Sequence, residues 1–128
     1  MILIVDDEEP VRHYVERVLH EAGYQTALAG DGPEALEVAK RLGSFDLLVT
    51  DVMMPQMSGD ELARRLRRDE PKLKILYLTG YSDRLFAERT TLWEDEAFLD
   101  KPCTMQSLKE AVSLLLSGTV GEPGSAGG

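Results

Sequence analysis

A small set of side chains in this sequence could carry phosphoryl chemistry if the fold brought them together. Asp51 ends the apolar run Leu47-Leu48-Val49-Thr50 and is followed by Val52-Met53-Met54-Pro55. Asp6 and Asp7 end Ile2-Leu3-Ile4-Val5, Thr79 ends Ile75-Leu76-Tyr77-Leu78, and Lys101 follows Phe98-Leu99-Asp100. An apolar run that closes on an ionisable group and a turn is how a buried strand delivers charge to the edge of a sheet. Three carboxylates in one crevice repel one another, so they either hold protons or require a cation. A hard divalent ion, Mg²⁺ or Mn²⁺, suits an all-oxygen donor set. With the charge neutralised, an aspartate can attack phosphorus and become an acyl phosphate. A hydroxyl such as Thr79 and an ammonium such as Lys101 would then steady the transferred group.

The elements that must position these groups follow from periodicity and punctuation. The first strand, β1, covers 2–5. After Pro10, Val11, Val15, Val18, Leu19 and Ala22 recur at helical spacing and predict α1, ending at Gly23. An extended stretch over 24–29 is β2. Gly30-Asp31-Gly32 breaks it before Pro33, a favoured first helical residue, opens α2 over 33–42 with Ala35, Leu36 and Ala39 inward. Gly43-Ser44 stops that helix, and β3 spans 47–51. Ser58-Gly59-Asp60-Glu61 has the form of a capping box and starts α3, with Leu62 and Leu66 inward and Pro71 closing it. Strand β4 covers 75–79, and Gly80 permits a tight turn. Ser82 caps a helix α4 over 82–91, after which Trp93-Glu94-Asp95-Glu96 reads as a frayed end or a loop. A short β5 lies at 98–99. Thr104 caps α5, which presents Met105, Leu108, Ala111, Val112 and Leu115 inward.

Strand and helix alternate five times, and the strands are apolar throughout rather than alternating. This is the pattern of a parallel sheet covered on both faces, an α/β doubly wound (βα)5 three-layer sandwich. Right-handed crossovers leave few topologies, and the order 2-1-3-4-5 puts the ends of β1 and β3 side by side at the switch point. Asp6, Asp7 and Asp51 would then share one crevice.

The chain has 128 residues, the size of one domain, read as 1–117 followed by a flexible Gly/Ser/Pro tail at 118–128. Its formal charge of −9 disfavours nonspecific binding to nucleic acid or anionic lipid. No apolar run approaches a membrane span, and residues 1–5 lack the basic and apolar regions of a signal peptide, so a cytoplasmic location is expected. The single cysteine, Cys103, agrees with that and reads as a small structural residue. Arg64, Arg65, Arg67 and Arg68 read as a solvated helix face, His13 and His20 as surface residues on α1, Met53, Met54 and Met57 as loop and packing residues, and Trp93 as a packing residue.

Taken together, Asp6-Asp7, Asp51 with Met54-Pro55 and Gly59, Thr79, and Lys101-Pro102 resemble the receiver domain of two-component response regulators over residues 2 to about 117. The resemblance implies the flavodoxin-like, CheY-like variant of the fold. It makes Asp51 the phosphate acceptor and has Asp6, Asp7, Asp51 and the backbone carbonyl of Met53 hold Mg²⁺. Lys101 would pair with the phosphoryl group, Thr79 would turn toward it, and Phe98 would occupy the aromatic switch position. The face formed by α4, β5 and α5 would change with phosphorylation. Met53 and Tyr81, two residues past the acceptor and the switch threonine, would tune loss of the phosphate, with slow to moderate self-dephosphorylation. The donor would be a histidine kinase or histidine phosphotransfer domain, and the chain a monomer or weak dimer. Cys103 stands where the family commonly has an aromatic residue, and Trp93-Glu94-Asp95-Glu96-Ala97 replaces the usual Gly-Ala before β5. The stretch Leu78-Thr79-Gly80-Tyr81-Ser82-Asp83 is similar to receivers attached to hybrid sensor kinases, so the chain is either stand-alone or cut from a longer protein.

Other functions on such a fold fit less well. A flavodoxin-like electron carrier needs a Ser, Thr and Gly-rich phosphate loop after β1, where Asp6-Asp7-Glu8-Glu9 would repel a phosphate. A haloacid-dehalogenase-type phosphatase would carry a second Asp two residues past the nucleophile, where this chain has Met53. An inert interaction domain would need none of these residues.

Overall fold

A computed structural model of the chain describes residues 1–80 and 95–117. The strands are β1 Ile2–Val5, β2 Thr26–Ala29, β3 Leu47–Asp51, β4 Lys74–Thr79 and β5 Glu96–Asp100. They form one parallel sheet in the order β2-β1-β3-β4-β5, as expected. Helices α1 Glu9–Glu21 and α5 Met105–Ser117 cover one face, and α2 Gly32–Leu42 and α3 Gly59–Asp69 cover the other. The predicted α4, together with Tyr81, Trp93 and the tail, lies outside the described residues.

Two cores explain why the strands carry apolar residues on both faces. Leu3, Val5, Leu48, Ile75 and Tyr77 face α2 and α3, where they meet Ala35, Val38, Leu62, Ala63 and Leu66. Their chain neighbours Ile2, Ile4, Leu47, Val49, Leu76 and Leu78 face Val15, Val18, Leu19, Leu108 and Val112 of α1 and α5. Because successive side chains point to opposite faces, both sets must be hydrophobic.

The helix starts follow local chemistry. Asp31 accepts from the Glu34 N–H at 2.8 Å and Ser58 accepts from the Glu61 N–H, while Glu61 pairs forward with Arg64 and Arg65. Gly59 is required by close approach: its N–H donates to the Val52 carbonyl at 2.8 Å, and a Cβ there would collide with the Asp51 carbonyl oxygen.

Several expectations need correction. Glu96 is the first residue of β5, not part of a frayed end or loop, since it pairs with Ile75 of β4; Arg67 of α3 reaches it at 2.8 Å and Lys74 of β4 reaches Asp95 at 2.9 Å. Arg67 therefore leaves the solvated set; it also donates to the Leu73 carbonyl from Nε and Nη2. Ala22 is exposed because it is the C-cap of α1, and Met105 is exposed at the first turn of α5, whereas Val38 of α2 is buried. No helix among the described residues is long and apolar enough to cross a membrane.

Replacing Gly59 with alanine would force α3 away from the end of β3. Overpacking of this kind costs about 1–3 kcal/mol. A lower urea midpoint for Gly59→Ala at unchanged m-value is the expected result.

Candidate functional site

The parallel register sets the strand ends level. Val5 pairs with Thr50, Asp51 with Leu78, and Thr79 with Asp100, so the residues after β1 and at the ends of β3, β4 and β5 meet along one edge. Asp6, Asp51 and Thr79 are all buried there, and Asp7 is exposed at the rim. One carboxylate oxygen from each of Asp6, Asp7 and Asp51 lies within 4.8 Å of the others.

Lys101 enters this cluster from the loop after β5. Its ammonium is 3.2 Å from Asp6 Oδ2, 3.3 Å from Asp51 Oδ1 and 3.5 Å from Glu8 Oε1. Asp6 Oδ1 accepts from the Glu8 N–H at 2.9 Å, whereas Oδ2, although in ion-pair range of Lys101, has no hydrogen-bond partner. One ammonium thus faces two buried carboxylates with a third at the rim. Burial, and then the neighbouring Asp6 charge, push the Asp51 carboxyl up to about 7 against the pull of Lys101. Burial also raises Asp6. Burial opposes the Lys101 charge, but Asp6 and Asp51 outweigh it and hold the ammonium above its ordinary value. An orphaned buried oxygen among carboxylates that lack enough positive charge fits a hard divalent cation.

The other expected residues are placed as follows. The Thr79 hydroxyl donates to Asp100 Oδ1 at 3.0 Å, while the Thr79 carbonyl accepts from the Lys101 N–H at 2.8 Å. Phe98 is half-buried and stacks on Tyr77, ring centroids 5.0 Å apart. Met53 is 58% exposed beside Asp51. Tyr81 lies outside the described residues. Cys103 is half-buried, and its carbonyl accepts from the Tyr14 hydroxyl at 2.9 Å.

Sequence reasoning passed over Glu8, Arg12 and Asp100. Arg12 Nη1 donates to the Asp6 carbonyl at 2.6 Å, and Asp100 engages the Thr79 hydroxyl. The signal for Arg12 was available, since it stands four residues past Glu8 on α1 and so returns toward the acidic turn. Asp100 carried no such signal, because only strand pairing sets it opposite Thr79.

A family model described as "Response regulator receiver domain" matches residues 2–113. The chain belongs to the response regulator receiver domain family. This receiver domain is 37% identical over 116 residues to the "Sensor kinase CckA" of Brucella abortus (strain 2308), covering 90% of this chain and 12% of that protein. It is 32% identical over 115 residues to the "Response regulator receiver protein CpdR" of the same organism, covering 90% of this chain and 95% of that one. Among solved structures, the receiver domain from the hybrid histidine kinase CckA superposes with a TM-score of 0.75 at 33% identity, over 90% of this chain and 97% of that one. The receiver therefore spans nearly all of one relative and a small part of another.

The raised Asp51 carboxyl has a consequence for stability. Its folded-state value of about 7 lies above the ordinary 3.8, so the charged form is disfavoured by folding. The contribution is lost as pH rises from about 4 to about 7. In EDTA, the melting temperature of Asp51→Asn is expected to exceed that of wild type by a margin that widens across this window; a constant margin would contradict the burial and repulsion described.

Proposed function

We propose that Asp51 is the phosphoryl acceptor of this receiver domain and that the donor is a phosphohistidine on a histidine kinase or histidine phosphotransfer domain. The observation that carries the reading is the meeting of buried Asp51 with Lys101 at 3.3 Å and with Asp6 and Asp7 in one oxygen cluster. In the transfer, an Asp51 carboxylate oxygen forms the new bond to phosphorus while the phosphorus–nitrogen bond of the donor breaks and the imidazole leaves with the electron pair. Asp6, Asp7, Asp51 and the Met53 carbonyl would hold Mg²⁺ or Mn²⁺, which when bound supplies charge neutralisation between the carboxylates and the incoming phosphoryl oxygens.

Lys101, already between Asp6 and Asp51, is placed to follow the new negative charge with a small movement of its flexible stem. The Thr79 hydroxyl would exchange Asp100 for a phosphoryl oxygen. Phe98 would then shift inward from its place against Tyr77, and the surface formed by α4, β5 and α5 would change. Contacts made only in the phosphorylated state favour that state, so the switch is a shift of population. The protein is regulatory, and the only catalysis proposed is of its own phosphorylation and slow dephosphorylation. Its net charge of −9 argues for protein partners rather than nucleic acid. The 12% and 95% coverages of the two relatives support both a place inside a hybrid kinase and a stand-alone role.

Intact mass after incubation with acetyl phosphate and Mg²⁺ tests the reading. One added phosphate on wild type and none on Asp51→Asn is expected; no uptake at any Mg²⁺ concentration would overturn it. Replacing Met53 and Tyr81 together by small polar residues is expected to change the decay rate of the phosphorylated form, followed by the same mass measurement over time.

A further inference from the structure

We infer that Tyr14 is a positioning residue for Lys101, acting through a hydroxyl tie that holds the loop between β5 and α5 against α1. The inference rests on the reading of Lys101 as the group that meets the phosphoryl. Lys101 begins a short loop that runs from Asp100, the last residue of β5, to Met105, the first of α5. Both ends of the loop are anchored. The Lys101 N–H donates to the Thr79 carbonyl at 2.8 Å, and the Thr104 hydroxyl accepts from the Ser107 N–H at 3.0 Å, capping α5. Between these anchors Pro102 has no N–H to give. The tie across the middle is the Tyr14 hydroxyl, which donates to the Cys103 carbonyl at 2.9 Å from 89 residues away in sequence.

The surroundings of the loop give this bond its weight. Val11, Tyr14 and Val15 of α1 and Leu78 of β4 line an apolar groove of about 550 Å³ whose other wall is Lys101, Pro102 and Cys103 of the loop. Close packing normally fixes a backbone by leaving it nowhere to go. Cys103 packs against the core beneath α1 and α5, but the loop borders the groove on one side, so its polar ties share in fixing its position. Lys101 reaches Asp51 at 3.3 Å from a root tied to the Thr79 carbonyl, so the position of the loop sets the range of places its ammonium can take. Small misplacements of a positioned group are costly to a transfer step. The polar tie thus links a residue on α1, remote from the acceptor in sequence, to the cation of the site.

Tyr14→Phe removes the hydroxyl and keeps the ring. A net hydrogen bond of this kind corresponds to roughly a 2- to 10-fold effect. Two readouts follow. Cys103 is the only cysteine in the chain, so its alkylation rate by iodoacetamide reports the loop directly and is expected to rise by that factor in Tyr14→Phe. The rate of Asp51 phosphorylation by acetyl phosphate with Mg²⁺ is expected to fall by a similar factor in Tyr14→Phe, to fall in Lys101→Ala, and to fall no further in the double variant. An unchanged rate in Tyr14→Phe beside a slowed Lys101→Ala overturns the inference alone. Equal slowing by Tyr14→Phe in both backgrounds also overturns it, since the hydroxyl would then act on the fold and not on Lys101. A Lys101→Ala protein that phosphorylates at the wild-type rate removes the role of Lys101 itself, and the inference with it.

Discussion

The structure turns on one unbalanced electrostatic arrangement, a single lysine ammonium held between the buried carboxylates of Asp6 and Asp51. Taking a carboxylate out of water costs several kcal/mol unless charge and hydrogen bonds repay it. Here Lys101 repays part of that, and the Glu8 N–H satisfies one oxygen of Asp6. The other oxygen of Asp6 has no hydrogen-bond partner, and Asp51 responds by holding its proton to about neutral pH. A site in this condition favours whatever brings positive charge to the carboxylates, which is the requirement of a metal-assisted phosphoryl acceptor.

The rest of the fold maintains that arrangement. Four parallel strands end level because their register is set by side chains buried on both faces, where a slip of one residue would exchange the two cores. Gly59 lets α3 close directly on the end of β3, so the backbone around Asp51 is pinned by the Gly59 N–H bond to Val52. At the opposite end of the sheet, Arg67 with Glu96 and Lys74 with Asp95 neutralise acids that would otherwise discourage β5 from pairing with β4. The edge strand that delivers Lys101 is thereby held in the sheet.

Beside the acidic cluster stands a second set of contacts with its own logic. The Thr79 hydroxyl is committed to Asp100, across the pairing of β4 with β5, and Phe98 is stacked on Tyr77 across the same pair of strands. Both groups that respond in the proposed switch therefore have defined resting partners on neighbouring strands. The family match spans all of these strands, and beside them Tyr14 of α1 donates to the Cys103 carbonyl in the loop that carries Lys101.

The sequence by itself determined the alternation of the described elements, the parallel sheet and the meeting of Asp6, Asp7, Asp51 and Lys101 at the edge where the strand of Thr79 also ends. Apolar strands ending in ionisable residues, with helix punctuation at Gly23, Asp31, Gly43 and Ser58, are local signals, and parallel topology leaves few ways to join them. What only the tertiary structure decided depends on distance across the chain. Glu96 joined β5 by pairing with Ile75 of β4, with Arg67 of another element against it, and Met105 and Ala22 lie exposed at the ends of their helices. The partner of Thr79, the tie from Tyr14 to Cys103 and the shortage of positive charge at Asp6 are likewise properties of pairs brought together by folding. Periodicity reports which face a residue takes; it carries no record of the group that will stand opposite.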